Sequence, residues 1–157
     1  MASFEAKICD PTRFSERARV LVRPLVFTNG VFDILHRGHV TYLAEARGLG
    51  GSLVVALNSD ESARRLGKGD DRPINLLEDR LAVIAALESI SLVTWFEEDT
   101  PIERILACRP DHLVKGGDWA EDKIVGSAEV AGWGGKVHSI PFRHDLSTTK
   151  ILSRIRA

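Results

Sequence analysis

The fold is decided by the stretch LVFTNGVFDILHRGHVTYLAEARGL, which runs from Leu25 to Leu49. Its first four residues are apolar or β-branched and show no helical period, so they predict a short buried strand. Asn29 and Gly30 both tolerate positive φ and are typical of the turn that ends such a strand. A helix with one apolar side follows and ends at Gly48, a good C-terminal stop. The stretch therefore predicts a strand–loop–helix unit.

Two histidines, His36 and His39, lie where the loop enters this helix. Three residues apart, they face the same way on one helical turn. The first turn of a helix offers unpaired N–H groups and the positive end of the dipole, so it attracts phosphate. Gly30 and Gly38 leave room for phosphates to approach the backbone. We interpret the unit as a nucleotide triphosphate site.

The alternatives to a phosphate-binding role for the histidines are a zinc-binding pair or two surface side chains. A structural zinc site needs about four Cys or His ligands, and neither Cys9 nor Cys108 is near in sequence. His112 and His138 lack comparable neighbours and are predicted to be structural.

Length and composition indicate one ordinary globular domain. The chain has 157 residues, 44% of them hydrophobic and 27% charged. A net charge of −1 gives no basic surface for nucleic acid. No apolar run approaches the ~18 residues of a membrane span, and acidic and basic residues interrupt any signal-peptide core. Two distant cysteines make no disulfide framework, which suits a cytoplasmic protein with no membrane or nucleic-acid partner.

Strand and helix patterns alternate along the rest of the chain, which predicts an α/β fold. We expect a single Rossmann-like domain over residues 1–157, with a five-stranded parallel sheet and helices on both faces. Residues 1–9 are a candidate disordered segment. Asn75 with Glu78 predicts a capping box that opens one helix. Ser147 predicts the cap of the last helix, with Ile151, Leu152 and Ile155 buried. Ligands on such sheets bind beyond the carboxyl ends of the strands.

Four further features have candidate roles, each with a structural alternative. Lys68 lies between two glycines in a charged loop and can reach phosphate oxygens, although it could be a solvated loop lysine. Arg80 taken alone is more typical of a surface ion pair. Ser147–Thr149 offer a second anion-binding helix start or a plain cap. The turn from Lys115 to Trp119 suggests close backbone approach to a base or sugar.

The segment GVFDILHRGH, Gly30–His39, resembles the GxFDxxHxGH signature of the cytidylyltransferase-like nucleotidyltransferases. RPINLLEDR, LVKGGDW, GSAEV, GG and STT follow in the order seen in the D-glycero-β-D-manno-heptose 1-phosphate adenylyltransferase branch. The likeness covers Val26 to Ile155. It implies transfer of AMP from ATP to the heptose phosphate, giving ADP-heptose and pyrophosphate for lipopolysaccharide inner-core synthesis. The alternatives are another acceptor, such as glycerol phosphate, pantetheine phosphate or FMN, or a non-catalytic ATP-binding module.

The resemblance also implies residue roles. His36, His39 and Lys68 would be catalytic, and Mg²⁺ would be held by triphosphate oxygens and water, without protein ligands. ATP would be bound by Thr28, Asn29, Gly30, Val31, Phe32, His36, Gly38, His39, Arg80, Gly116, Gly117, Ser147, Thr148 and Thr149. The heptose phosphate would be bound by Asn29, Asp33, Asp60, Lys68 and Lys115. A homodimer is expected because related enzymes commonly form one. Phe142 stands where related glycerol-3-phosphate cytidylyltransferases carry arginine, so the base contacts stay unassigned.

Overall fold

The computed structural model describes residues 2–157 and shows strands alternating with helices. The strands are β1 (Leu25–Gly30), β2 (Ser52–Asn58), β3 (Leu92–Phe96), β4 (His112–Gly116) and β5 (Lys136–Ile140). The α-helices are α1 (Phe14–Arg19), α2 (Arg37–Arg47), α3 (Asp60–Arg64), α4 (Leu77–Ala85), α5 (Ile102–Cys108), α6 (Ser127–Gly132) and α7 (Thr148–Arg156). Short 3₁₀ turns cover Ser3–Lys7, Pro11–Arg13 and Glu121–Lys123.

All pairings in the sheet are parallel, and the strand order is β3-β2-β1-β4-β5. β1 pairs with β2 along its whole length but with β4 only at Val26 and Phe27. After β1 the chain adds β2 and β3 on one side of it, and then β4 and β5 on the other side. The strand order therefore reverses between β1 and β4, and such a switch point is where these sheets bind ligands. The predicted five-stranded Rossmann-like domain is confirmed.

Apolar residues cover both faces of the sheet, as a buried parallel sheet requires. On one face Phe27 packs with Phe14 of α1 and Ile105 of α5. On the other face Val26 packs with Leu43 of α2 and Leu81 of α4. The two cores fix β1 on both sides, so the loop after it starts from a rigid position.

The N-terminal segment is better packed than its sequence suggests. Ser3–Lys7 forms a 3₁₀ turn, Ile8 bridges to Val93, and Cys9 is buried. The expectation of disorder over residues 1–9 is thus corrected for residues 2–9, because these contacts extend the sheet edge beside β3; Met1 lies outside the described residues.

Two helix details also differ from the sequence prediction. α4 begins at Leu77 after Leu76, without a side-chain cap, because Asn75 turns to bind the loop after β1 instead. Ile155 is 72% exposed rather than buried, since it lies in the last turn of α7. Among residues 2–157 no helix is long and apolar enough to cross a membrane.

Candidate active site

The floor of the site is the carboxyl end of β1. Gly30 closes the strand, and Phe32 follows with a φ of 50°, a left-handed conformation that bulky residues rarely adopt. This turn folds the Phe32 ring back under Gly30: a Cβ on Gly30 would lie 2.8 Å from Phe32 Cε2. Residue 30 must therefore lack a side chain, and its backbone faces the cavity above it.

His36 and His39 stand side by side on the rim of this cavity. His36 is the N-cap of α2, and its Nδ1 accepts from the backbone N–H of Gly38 at 3.1 Å. The His36 backbone N–H in turn approaches His39 Nδ1 at 3.4 Å. The two rings stack with centroids 3.8 Å apart, and Phe32 meets His39 edge-on at 5.0 Å.

This arrangement fixes the chemistry of both imidazoles. A ring nitrogen that accepts a hydrogen bond carries no proton, so each neutral ring holds its proton on Nε2. Burial lowers the pKa of His39 to about 4, and nearby His36 and Lys68 add to the effect. Burial also lowers the pKa of His36. Both rings are therefore neutral near pH 7 and offer Nε2–H donors. An anion bound beside them would favour their protonated forms.

A second helix start closes the opposite side. Ser147 caps α7 by accepting from the Lys150 N–H at 3.0 Å. The Thr148 hydroxyl bonds the backbone of Ile34, donating to its carbonyl at 3.2 Å and lying 3.3 Å from its N–H. α7 is thereby tied to the histidine loop, and the positive ends of α2 and α7 face one space.

The space between these groups is a pocket of about 300 Å³, named here the first pocket. That volume is within the range of small-molecule sites. Its lining comprises Asn29, Gly30, Val31, Phe32, Asp33, His36, His39, Tyr42, Lys68, Arg72, Lys115, Gly116, Phe142, Leu146, Ser147, Thr148 and Thr149.

A second pocket of about 210 Å³ adjoins the first. It lies beyond the ends of β2 and β3 and is lined by Asn58, Leu66, Asp99, Thr100, Pro101, Trp119, Lys123, Ile124 and Val125 together with residues of the shared wall. That shared wall is formed by Asn29, Gly30, Val31, Lys68 and Lys115.

The shared wall carries two cationic side chains, Lys68 and Lys115. Within residues 2–157, neither Lys68 nor Lys115 forms an ion pair with a carboxylate. Burial and Arg72 lower the pKa of Lys68, while Asp33 opposes the shift. Burial and Lys68 lower the pKa of Lys115, whose ammonium lies 5.5 Å from the Trp119 ring centroid. Two cations that disfavour each other define a place for an anion.

Most of the predicted site residues meet at these pockets, but five do not line either of them. Thr28 is fully buried beneath the site and bonds the Tyr42 hydroxyl. The backbone N–H of Gly38 donates to His36 Nδ1, as described above. Gly117 lies one residue beyond Gly116, with a φ of 109° beside Trp119.

The other two outliers, Arg80 and Asp60, bind each other at 2.7 Å. The Arg80 side chain is 0% exposed, so the surface ion pair suggested by its sequence is wrong. It donates to the carbonyls of Val31 at 3.0 Å, Asn58 at 2.8 Å and Asn75 at 2.9 Å. Arg80 therefore braces the loops around both pockets from below, while its contact with ATP stays a prediction.

Asp33 lines the first pocket, but its carboxylate is occupied. It accepts from Arg72 Nε at 2.7 Å and from the backbone N–H groups of Ile74 and Asn75 at 2.9 Å. These donors hold the pKa of Asp33 below its usual value against the opposing effect of burial.

Sequence reasoning missed several lining residues. Tyr42 and Phe142 form an edge-to-face pair, 6.2 Å between centroids, beside Gly116. Asn58 and Asp99 stand in the second pocket. The available signal was positional: Asn58 ends β2 and Asp99 lies three residues after β3, at the carboxyl edge of the sheet where ligands bind.

Residues 2–157 contain no cluster of three or more His, Cys, Asp or Glu able to hold a metal ion. Asp33, the carboxylate in the first pocket, is already neutralised by Arg72. The described side chains thus offer a divalent cation no cage of their own.

The switch point of the sheet faces two helix starts, two neutral imidazoles and two lysines that form no ion pair among residues 2–157. These are the features of a nucleotide-binding α/β domain that transfers a phosphorylated group. The chain belongs to the cytidylyltransferase-like family, whose model matches residues 27–154. The family predicted from the GVFDILHRGH segment is confirmed.

Relatives are similar along nearly the whole chain. A D-beta-D-heptose 1-phosphate adenylyltransferase of Bordetella bronchiseptica is 55% identical, over 99% of this chain and 97% of its own length. The bifunctional protein HldE of Hahella chejuensis is 52% identical over 88% of this chain, which spans only 29% of that longer protein.

Solved structures agree on the fold. A lipopolysaccharide core biosynthesis protein from Thermoplasma volcanium is 31% identical, with a TM-score of 0.61 over 75% of this chain and 94% of that one. Pantothenate synthetase from Thermus thermophilus has a TM-score of 0.63 at 16% identity, over 96% of this chain and 70% of that one. The second likeness speaks for the fold alone.

Proposed function

We propose that the protein transfers AMP from ATP to D-glycero-β-D-manno-heptose 1-phosphate, releasing pyrophosphate and forming ADP-heptose. The observation that carries the proposal is the pair of unpartnered lysines, Lys68 and Lys115, on the wall between the two pockets. A transferase that joins two phosphorylated substrates needs positive charge at that boundary. The name of the 55% identical relative supports the choice of sugar.

The nucleotide is assigned to the first pocket. Its phosphates would meet the starts of α2 and α7 and the Nε2–H groups of His36 and His39. Thr149 and the free N–H groups of the first turn of α7 would add donors. The base would lie toward Gly116, beside the aromatic pair of Tyr42 and Phe142.

The acceptor is assigned to the second pocket, with its phosphate at the shared wall. Trp119, which is 50% exposed, would present a face to the sugar ring. Asn58 and Asp99 would supply hydrogen-bonding groups for hydroxyls. Because Lys115 lies near the Trp119 ring, one residue pair would contact both the phosphate and the sugar.

The reaction needs no covalent intermediate. An acceptor phosphate oxygen forms a bond to the α-phosphorus of ATP, and the bond from that phosphorus to the bridging β-phosphate oxygen breaks as pyrophosphate leaves. The attacking oxygen is already anionic near neutral pH because the second pKa of a phosphate monoester is about 6. Catalysis is therefore positioning and charge neutralisation.

The chain's own residues divide this work. His36 and His39 donate to oxygens on which negative charge builds, and can take up positive charge as the phosphates approach. Lys68 bridges the acceptor phosphate and the triphosphate. Mg²⁺ would enter with ATP and neutralise phosphate charge; the chain would hold it only through the nucleotide and water.

The test is a matrix of donors and acceptors. The purified protein is incubated with ATP or CTP and with heptose 1-phosphate, glycerol phosphate, pantetheine phosphate, nicotinamide mononucleotide or FMN, and both pyrophosphate and the joined product are quantified. We expect ADP-heptose from ATP with the heptose phosphate. A product with a different acceptor favours the alternative transferase, and ATP binding without pyrophosphate release favours the non-catalytic module.

We further propose that the product serves lipopolysaccharide inner-core synthesis in the cytoplasm, where ATP is supplied. The 31% identical relative described as a lipopolysaccharide core biosynthesis protein supports the pathway. Both cysteines are free and buried, which suits a reducing compartment.

We propose a homodimer as well. Light scattering coupled to gel filtration tests this oligomeric state, and a molecular mass equal to that of one chain would contradict it.

A further inference from the structure

The lysine loop, defined here as residues 66–75, carries Lys68 into the shared wall but has few internal bonds. Gly67 and Gly69 have φ values of 70° and 131°, and a Cβ added to Gly67 would meet no atom within 4 Å. Hydrogen bonds within and beside the loop include Arg72 N–H to the Gly69 carbonyl at 3.2 Å. Something outside the loop must hold Lys68 in place.

Outside contacts of the loop include the ion pair of Asp71 with Arg156 and the bond from Arg80 to the Asn75 carbonyl, but most of them converge on one anchor, Asp33. Its side chain is almost wholly buried, and its two oxygens accept from Arg72, Ile74 and Asn75 at 2.7–2.9 Å. The Asn75 amide side chain completes the link by donating to the Asp33 carbonyl at 2.7 Å. A single residue thereby receives four donor groups from one end of the lysine loop.

Asp33 also belongs to the histidine loop, three residues before His36. The anchor therefore joins the loop that carries the imidazoles to the loop that carries the lysine, across 39 to 42 residues of sequence. Its negative charge faces the same pocket as Lys68 and partly offsets the charge of Arg72. Both the geometry and the field at Lys68 depend on this carboxylate.

We infer that Asp33 is a positioning residue of the transfer reaction: through Arg72, Ile74 and Asn75 it sets where Lys68 stands relative to His36 and His39. This rests on the proposed function for the meaning of Lys68. It differs from direct recognition of sugar hydroxyls by Asp33, because the protein's own donors already occupy the carboxylate.

The test is a double-mutant cycle between Asp33→Asn and Lys68→Ala. Asparagine keeps the shape but places an amide against the Arg72 guanidinium and removes the charge. We expect Asp33→Asn to lower kcat/KM about tenfold or more in the native background and less than about twofold in the Lys68→Ala background, because groups that act through one another do not add. Losses that multiply independently would overturn the inference.

Binding provides a readout that needs no turnover. The same cycle is measured on the dissociation constant of α,β-methylene-ATP by calorimetry, and amide hydrogen exchange is followed over residues 66–75. We expect a non-additive loss of affinity and faster exchange at Ile74 and Asn75 in Asp33→Asn. Unchanged exchange with additive affinities contradicts the positioning role.

Two further proteins keep the outcome interpretable. Arg72→Gln breaks the same pair from the other side, so it replaces Asp33→Asn if that variant does not fold, with the same non-additivity expected. Asp111→Asn is the matched control: Asp111 likewise binds an arginine and a backbone N–H, those of Arg23 and Leu25, but at the opposite end of β1. Its effect should be small and independent of Lys68.

Failure of the proposed function is distinguishable from failure of this inference. A native protein that binds the analogue yet transfers nothing refutes the function, and the binding cycle then decides the role of Asp33. A native protein that does not bind the analogue overturns both.

Discussion

The molecule contains two histidine pairs, and they differ in what their ring nitrogens bind. His112 on β4 and His138 on β5 bond each other, Nδ1 to Nε2, at 2.9 Å. His36 and His39 stack at 3.8 Å, and their Nδ1 atoms are directed at backbone N–H groups of their own loop. In each pair one nitrogen of each ring is engaged and the other has no hydrogen-bond partner among the described residues. The pairs differ in place: His36 and His39 line the first pocket, whereas His112 and His138 line neither pocket of the site. Histidine pairing alone does not indicate function; the pocket beside the free nitrogens does.

The same contrast separates other residues of one type. Lys150 pairs with Asp145, whereas Lys68 and Lys115 have no carboxylate among the described residues. Trp133 is partly buried, donates to the Pro110 carbonyl at 3.0 Å and carries Arg109 over its ring. Trp119 makes the same two kinds of contact, donating to the Gly116 carbonyl at 3.1 Å and lying 5.5 Å from the Lys115 ammonium, but it is half exposed in the second pocket.

The largest effect is expected at the histidines. His39→Ala should lower kcat by about a hundredfold, because removal of one preorganised donor costs on the order of 3 kcal/mol in the transition state. Steady-state kinetics on protein with native circular dichroism measures it. The matched control is His138→Ala, which breaks the other pair and should stay within about twofold of native activity. Equal losses in the two variants would remove the distinction between the pairs.

The next effect is expected at the shared wall. Lys115→Ala should lower kcat/KM for the acceptor by roughly tenfold to a hundredfold, since a charge-assisted hydrogen bond to phosphate contributes about 1.5–3 kcal/mol. Lys150→Ala, which removes a partnered surface lysine, should be near neutral. Acceptor titrations at saturating ATP test both, and a native KM for the acceptor in Lys115→Ala would contradict the assignment of its phosphate.

A smaller effect is expected at the second pocket. Trp119→Ala should raise the KM for the sugar phosphate about fivefold to tenfold while leaving the KM for ATP unchanged, because an aromatic contact is worth about 1 kcal/mol. Trp119→Phe should recover most of the loss. A change confined to the KM for ATP would instead place the nucleotide beside Trp119.

The last prediction concerns stability and its dependence on pH rather than activity. Because the pKa of His39 is about 4 in the folded protein and 6.5 ordinarily, the unfolded chain binds more protons between these values. Stability from this residue is thus present above pH 6.5 and is lost as the pH falls toward 4. Denaturant unfolding at several pH values should show a shallower decline in His39→Gln than in the native protein. A parallel decline would show that His39 is not protonated more readily on unfolding.

The sequence predicted the parts of the site that local signals encode. A buried strand and a helix start lie within one short segment, so the places of Gly30, His36 and His39 follow from it. The predicted turn at Asn29 and Gly30 was wrong, because β1 runs through both residues and the left-handed residue is Phe32. Ser147 was correctly predicted as a helix cap for the same reason.

Long-range partners were not predictable in this way. Asn75 looked like a helix cap, but both its backbone N–H and its side-chain amide donate to Asp33, 42 residues earlier. Arg80 looked like a surface residue because its period on α4 does not reveal that three loop carbonyls and Asp60 converge on it. The second pocket is assembled from the ends of different strands, so its lining appears only when the strand order is known.

The most direct test of the account is long-range ¹H–¹⁵N NMR of the imidazoles, with and without α,β-methylene-ATP. We predict that His36 and His39 hold their protons on Nε2 and that both Nε2–H signals shift strongly when the analogue binds, while those of His112 and His138 stay in place. Rings protonated on Nδ1, or Nε2–H signals that do not respond to the nucleotide, would contradict the claim that these two imidazoles bind the triphosphate.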